Sequence, residues 1–395
     1  MRTFELMVAG ALGSALLLTS CCMSARAAGA GAPQAAPQAA PQAPPQVRDG
    51  SHDFDFFYGT WLLHNRRLRS PVLSSHDWAQ FDATDVARPL PGGLGNEDIY
   101  RASYPGKGFV GLTVRLYDRA HDLWRIYWID NLKSHGDAGE PNVGRWHGNV
   151  GIFDEHLMVE GKPAIDRYTW TKYGGDSKIT AHFAESLSVD GGRTWKMVFA
   201  NDIIRAAPTE ASSWSADDAG PAPATAGVRD GSHDFDFEYG KWRMPNHRLV
   251  KRLAGSHEWA DFVSCDEGEP LPGIGDQDVF RTSYWPDFVG MTLRTYDPQT
   301  GLWRLYWFDN RFANGIMEPP VAGRFHGNAG VFEGKDTFNG KPVIVRFFWN
   351  VNPKGSKVVA KWQQAFSPDG GKTWEVNWRN ELIPDGHCRP DGRSS

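Results

Sequence analysis

From Val110 to Tyr117 the chain reads VGLTVRLY, in which Val110, Leu112, Val114 and Leu116 alternate with Gly111, Thr113, Arg115 and Tyr117. The run LWRIYWID that starts at Leu123 alternates Trp124, Ile126 and Trp128 with Arg125 and Tyr127. A period of two marks strands whose two faces meet different surroundings. Turn signals separate such runs, among them Pro105-Gly106, Asp118-Arg119, Gly174-Gly175 and Asp190-Gly191-Gly192, and no helical period intervenes. The pattern predicts an all-β fold of antiparallel strands joined by hairpins. An up-and-down meander hides its edges by closing into a barrel; a sandwich is the alternative.

The pattern is written twice. VRDGSHDFDF begins at Val47 and again at Val228, SHDWAQF pairs with SHEWADF, LWRIYWIDN with LWRLYWFDN, and GRWHGNVGIF with GRFHGNAGVF. Two units of this length are a domain duplication, since solenoid repeats run to about 20 to 50 residues. The sequence thus predicts two tandem barrels of eight to ten strands each, over residues 48–206 and 228–385, with a linker over 207–227 and a tail over 386–395.

The N-terminus has another character. LMVAGALGSALLL, after Arg2, is too short for a bilayer, which takes about 20 apolar residues, and has the length of a signal h-region. A signal peptide over 1–27 is expected. Leu18-Thr19-Ser20-Cys21 resembles a bacterial lipobox, with Cys21 the lipidated residue, and Ala25-Arg26-Ala27 fits an ordinary cleavage site; the lipobox is preferred. The Ala/Pro/Gln repeat over 28–47 has no hydrophobic period and reads as a disordered tether. The expected location is the periplasm, the outer membrane as a lipoprotein, or the exterior. Beyond the leader only Cys265 and Cys388 remain; an oxidising compartment permits a bridge, and geometry decides whether it forms.

Gly59-Thr60-Trp61 and Gly240-Lys241-Trp242, each preceded by an HDFDF segment, are similar to the Gly-x-Trp signature of lipocalins and other calycins. With the "YW-DN" and "SPDGG-TW" segments, both copies resemble an uncharacterised bacterial family of lipocalin-like domains. The resemblance implies a calycin-type barrel whose first-strand Trp plugs the closed end, and no established activity. No Thr-Asp-Tyr segment is present. The basic residue that the resemblance calls for on the last strand, stacked on that Trp, falls on Arg379 in copy two, where copy one has Ala200.

Charge narrows the partners. A formal net charge of -5 offers no basic excess for a nucleic-acid backbone. The 17 Trp predict a bulky aromatic interior suited to stacking on a small molecule. Arg101, Arg115, Arg145 and Arg167 occupy strand positions matched by Arg281, Arg294, Arg324 and Arg346. A guanidinium inside a barrel must be paired or bind an anion. Either Asp98, Asp118 and Asp130, with Asp278, Asp297 and Asp309 in copy two, neutralise them, or Arg115, Arg145, Arg167, Arg294, Arg324 and Arg346 join Tyr127, Trp128, Tyr306 and Trp307 in clamping a carboxylated or aromatic ligand.

Other chemistry is thinner. SVDGGRTW from Ser188 and SPDGGKTW from Ser367 resemble the Asp-box of sialidases, but one box per copy reads as the turn between the last two strands. HDFDF lacks a matched metal-ligand set, so no metal or cofactor is assigned. His147 with Asp130, or His326 with Asp309, is the acid–base alternative, for a hydrolase, hydratase or isomerase. Against it, Glu185 becomes Gln364 and Asp166 becomes Val345 between copies. The leading expectation is an exported binding protein for a small hydrophobic, aromatic or carboxylated ligand; a structural envelope role without ligand is a further alternative.

Overall fold

The structure, a computed structural model, describes residues 48–70, 72–106, 108–175, 177–206, 225–312 and 315–389. The expected signal peptide, Cys21, the Ala/Pro/Gln tether and most of the linker lie outside the described residues, as do the last six residues of the tail.

Ten strands follow one another in copy one: β1 (Gly59–Leu68), β2 (Trp78–Leu90), β3 (Gly95–Ala102), β4 (Phe109–Asp118), β5 (Leu123–Asp130), β6 (Asn142–His147), β7 (Val150–Val159), β8 (Lys162–Lys172), β9 (Ala181–Ser188) and β10 (Lys196–Arg205). Each pairs antiparallel with its neighbour, and β1 also pairs with β10, so the sheet closes. Copy two repeats this with β11 (Gly240–Leu249), β12 (Trp259–Leu271), β13 (Gly275–Thr282), β14 (Phe288–Asp297), β15 (Leu302–Asp309), β16 (Val321–His326), β17 (Ala329–Phe338), β18 (Lys341–Val351), β19 (Ala360–Ser367) and β20 (Glu375–Pro384). The fold is therefore two tandem closed antiparallel barrels, as the period-two pattern and the repeats predict. Closure is less regular in barrel two, where pairing between β11 and β20 skips Met244 and Pro245. Proline has no N–H to give to that ladder.

The HDFDF segment seals one end of each barrel. Phe54, wholly buried, lies edge-on to Trp124, Trp146 and Trp170 at centroid distances of 5.0, 5.2 and 5.6 Å. Phe235 does the same against Trp303 and Phe325 at 5.0 and 5.1 Å. Each such pair contributes about 0.5–1.5 kcal/mol beyond the area it buries. The Gly50 backbone donates to the Tyr117 hydroxyl at 2.7 Å and accepts from the Trp124 indole at 3.1 Å, and Gly231 repeats both bonds with Tyr296 and Trp303. The first-strand indoles of Trp61 and Trp242 donate to the carbonyls of Phe57 and Glu238. The stacking cation is reversed from expectation: Arg205, at the end of β10, lies 4.2 Å over Trp61, whereas Trp242 faces Pro384 in register and Arg379 lies over Trp259. The cation sits at the strand end, beside the plug, and not mid-strand where sequence counting placed it.

β4 is buried along its whole length. Its apolar stripe, Val110, Leu112, Val114 and Leu116, turns away from the lumen and packs against Met291 and Leu293 of β14, with Leu90, Leu94, Leu271 and Ile274 around them. The two copies meet reciprocally, as in an isologous dimer. The Met317 N–H donates to the Tyr127 hydroxyl at 3.2 Å, and the Ala138 N–H donates to the Tyr306 hydroxyl at 3.0 Å.

Candidate functional site

Each lumen holds a cavity, of about 280 Å³ in barrel one and about 290 Å³ in barrel two. Glycine opens space for its aromatic wall: a Cβ on Gly111 would lie 2.1 Å from the Trp128 ring, and one on Gly290 would lie 2.3 Å from the Trp307 ring. The indoles lie flat over bare backbone, held by Asp130 at 3.2 Å and Asp309 at 3.0 Å.

Toward the plug, β3 and β4 build a polar floor. Arg115 is 3% exposed, ion-paired with Asp98 and hydrogen-bonded to Asn96 at 3.0 Å, and its guanidinium lies 5.0–5.3 Å from the rings of Phe54, Phe57 and Trp170. Burial pushes the Asp85 carboxyl well above the usual range, and the Asp98 charge adds to this. In barrel two Arg294 pairs with Asp276 and, at 2.6 Å, with Asp278. Here Glu238 stands where copy one has Phe57, and Asp276 where it has Asn96. One guanidinium thus serves four buried acids. Burial, reinforced by neighbouring carboxylates, pushes Glu238 to about 8, Asp276 to about 7 and Asp266 well above the ordinary range. Protons therefore complete the charge balance of this floor. Glu238, Asp266 and Asp278 also place carboxylate oxygens within 4.8 Å of one another, the metal-like grouping found among the described residues. Arg294 occupies part of that space.

The end opposite the plug carries a second polar set. In barrel one Arg67, at the end of β1, lines the cavity with Glu185, Tyr100, Tyr104 and Tyr168. Burial raises Glu185, and the charges of Arg67 and Lys133 hold it down. Asp166 rises to about 8 through burial, then through the charge of Glu185. In barrel two the corresponding positions carry Arg248, Gln364, Phe347 and Val345, joined by Arg252, Trp285 and Trp378.

The predicted residues separate cleanly. Arg115, Trp128, Arg294 and Trp307 line the lumens, and Asp98 and Asp278 do neutralise the two buried arginines. Tyr127 and Tyr306 send their hydroxyls across the contact between barrels, and Tyr306 also borders the cavity of barrel two. Arg145 and Arg324 are exposed on the outer face, because Trp146 and Phe325 take the inward positions beside them. Arg167 and Arg346 also face outward: they pair with Asp154 and Glu333 and stack on Trp195 and Trp374 at 4.0 and 3.7 Å. Tyr127 and these four arginines therefore leave the lumen clamp. His147 and His326 are exposed at the outer ends of β6 and β16, while Asp130 and Asp309 cap the turns after β5 and β15 by accepting from backbone N–H groups. Neither His–Asp pair is assembled.

Arg67, Arg248 and Arg252, Asp85 and Asp266, and Glu238 were not singled out by sequence reasoning. Counting by twos from the plug Trp61 through Leu63 and Asn65 reaches Arg67, and the same count from Trp242 reaches Arg248; that was the available signal.

The Asp-box is a hairpin turn in both copies. Asp190 accepts from the N–H groups of Arg193 and Thr194 at 3.0 and 2.9 Å and from the Thr194 hydroxyl at 2.7 Å, with Gly191 and Gly192 at φ of 75° and 87°. The Trp195 indole closes the turn by donating to Gly192 at 3.0 Å. Asp369, Thr373 and Trp374 repeat the arrangement. Cys265 and Cys388 are joined in a disulfide that ties the segment after β20 to β12.

No family model and no curated protein matches the sequence. Among solved structures, a protein of unknown function from the DUF3598 family of Nostoc punctiforme is 8% identical over 85% of this chain and 100% of its own, with a TM-score of 0.22. A Nitrosomonas europaea protein provisionally named AttH is 9% identical over 87% of this chain and 99% of its own, with a TM-score of 0.14. Both likenesses are too shallow to carry an argument about activity.

Proposed function

We propose that each barrel is a binding module that holds one small, flat, largely aromatic molecule in its lumen. The carrying observation is a cavity of about 280–290 Å³ in each barrel, walled by aromatic rings and a few fixed polar groups. Apolar burial supplies most of the affinity in such a site, and the polar groups orient the ligand. A cavity of about 150 Å³ already takes benzene, so a bicyclic ligand is the fitting size. We further propose that the chain belongs with the lipocalin-like domains it resembles and is exported on a lipidated Cys21; palmitate labelling that is lost in Cys21→Ala tests the anchor.

The test uses 2-naphthalenemethanol, a neutral bicyclic probe, followed by calorimetry and tryptophan fluorescence. Ile126 and Leu305 are matched lumen residues. The expected stoichiometry is one probe per barrel, with Ile126→Trp and Leu305→Trp each removing one equivalent by filling its lumen. Absence of binding, or binding indifferent to both fillings, overturns the reading.

A further inference from the structure

The two lumens balance their charges differently at the end opposite the plug. In barrel one, Arg67 and Lys133 both act on the buried Glu185 carboxylate, so Arg67 has an acid of its own in the lumen. In barrel two, Gln364 replaces Glu185 and Phe312 replaces Lys133. Arg248, the counterpart of Arg67, is thereby left without a carboxylate. Its guanidinium lies in the corner made by the edge-to-face pair Trp285 and Trp378, 5.1 and 5.3 Å from their centroids, where copy one has Pro105 and Phe199. Its Nε is buried with no hydrogen-bond partner.

Arg252 brings a second guanidinium to the same cavity, stacked 4.6 Å over Phe338 and 5.2 Å over Phe366. Copy one has proline at that place in the sequence. Burial and the charge of Arg248 lower Arg252 to about 10, while Glu318, Glu375 and Asp336 favour its charge. Among the described residues neither arginine takes part in an ion pair. Glu375 accepts from the Leu253 N–H at 2.7 Å, and Glu318 and Asp336 line the cavity on the Arg252 side. Burial lowers Arg248, with the Tyr284 hydroxyl acting the other way.

A partly desolvated guanidinium without an anion is costly, and one seated in the corner of two indoles is held in place for one. Trp378 is itself fixed by donating to Asn246 at 2.9 Å. We propose that barrel two selects an aromatic carboxylate, whose charged group meets Arg248 with Arg252 in support while its rings fill the aromatic lumen; barrel one, where Arg67 already has Glu185, takes the uncharged counterpart. This rests on the lumen-binding reading above and adds the charge class.

The experiment compares 2-naphthoate with 2-naphthalenemethanol on the full chain carrying Ile126→Trp, which leaves only barrel two open. The carboxylate is expected to bind about 10- to 100-fold more tightly at neutral pH, the worth of one charge-assisted contact. Gln364→Glu, which returns the carboxylate of copy one to Arg248, and Arg248→Gln each remove that preference. The reverse change, Glu185→Gln on a Leu305→Trp background, gives barrel one an affinity for 2-naphthoate, a gain that misfolding cannot mimic. Equal affinity for the two probes in barrel two, or a preference that survives Gln364→Glu, overturns the proposal and leaves lumen binding intact. Binding of 2-naphthoate that depends on Arg248, with no binding of the alcohol to either barrel, sustains the charge selection by barrel two and overturns the reading of one ligand in each barrel, the uncharged ligand of barrel one included.

Discussion

Glu238 offers the sharpest physical test of the interior. It is 1% exposed and shares its surroundings with Asp266, Asp276, Asp278 and Arg294, and its carboxyl is raised from an ordinary 4.5 to about 8. A carboxyl raised on folding binds its proton more tightly in the native state. Its stabilising contribution is therefore complete below about pH 4.5 and is lost as pH rises through about 8. At about 1.4 kcal/mol per unit, the shift corresponds to about 5 kcal/mol between those limits, with a slope approaching 1.4 kcal/mol per pH unit. Relaxation around the ionised group makes about 2–5 kcal/mol the range to expect. Glu238→Gln has the same shape, cannot ionise, and offers amide donors to Asp266 and Asp278. Urea unfolding followed by tryptophan fluorescence across pH 5 to 9 should find the variant near wild type at the acid end, more stable at the alkaline end, and with a flatter slope. A slope equal to that of wild type, or a variant less stable at pH 9, would refute the assignment of a folding-linked proton to this floor.

Three further outcomes follow from named contacts. Tyr306→Phe strips the Ala138 N–H of its acceptor across the contact between barrels and should lower stability by about 1–2 kcal/mol in chemical denaturation. Reduction of the disulfide, or Cys265→Ser with Cys388→Ser, frees a loop with a sequence separation of 123 and should cost about 4–5 kcal/mol on chain-entropy grounds, read as a lower urea midpoint. Asp190→Ala should lower the melting temperature at pH 7 and leave probe binding in the lumen unchanged. Because hydrogen bonds from Thr194, Ser188 and Arg193 hold the Asp190 carboxyl below its usual range, its contribution is present above about pH 3.8 and fades as pH falls, so the deficit of the variant should narrow in acid.

What was legible in the sequence was whatever depends on local periodicity and repetition. The alternation in VGLTVRLY located β4, the paired segments located both barrels, and SVDGGRTW located the β9–β10 turn. Period two assigns residues to two faces without saying which is the lumen. In most strands of a lone barrel the apolar face is the inner one; β4 inverts this, because Val110, Leu112, Val114 and Leu116 meet the other barrel and the polar face with Thr113 and Arg115 lines the cavity. Outward residues such as Arg145 and Arg167 were for the same reason indistinguishable from Arg115 until the neighbours of each were known. The Arg205 stack on Trp61 was missed because register between β1 and β10 is a property of closure and not of either strand alone.

Duplication turns these differences into an internal experiment. Two barrels with a common backbone plan, one Arg at the floor and one on the last inward position of the first strand, have been given different counterions. Where Phe57 became Glu238 and Asn96 became Asp276, the floor of barrel two gained acid and must hold protons. Where Glu185 became Gln364, Arg248 lost the carboxylate that acts on Arg67's side of copy one, while Glu318 and Asp336 joined the lumen near Arg252. A purely structural pair of barrels has no need for a guanidinium without an ion pair against two indoles, since a methionine would fill the same space without the desolvation cost. Arg248→Met therefore discriminates on stability alone: if the arginine serves a ligand, the unliganded variant should be as stable as wild type or more so, and a loss of several kcal/mol on urea unfolding would mark Arg248 as part of the framework instead.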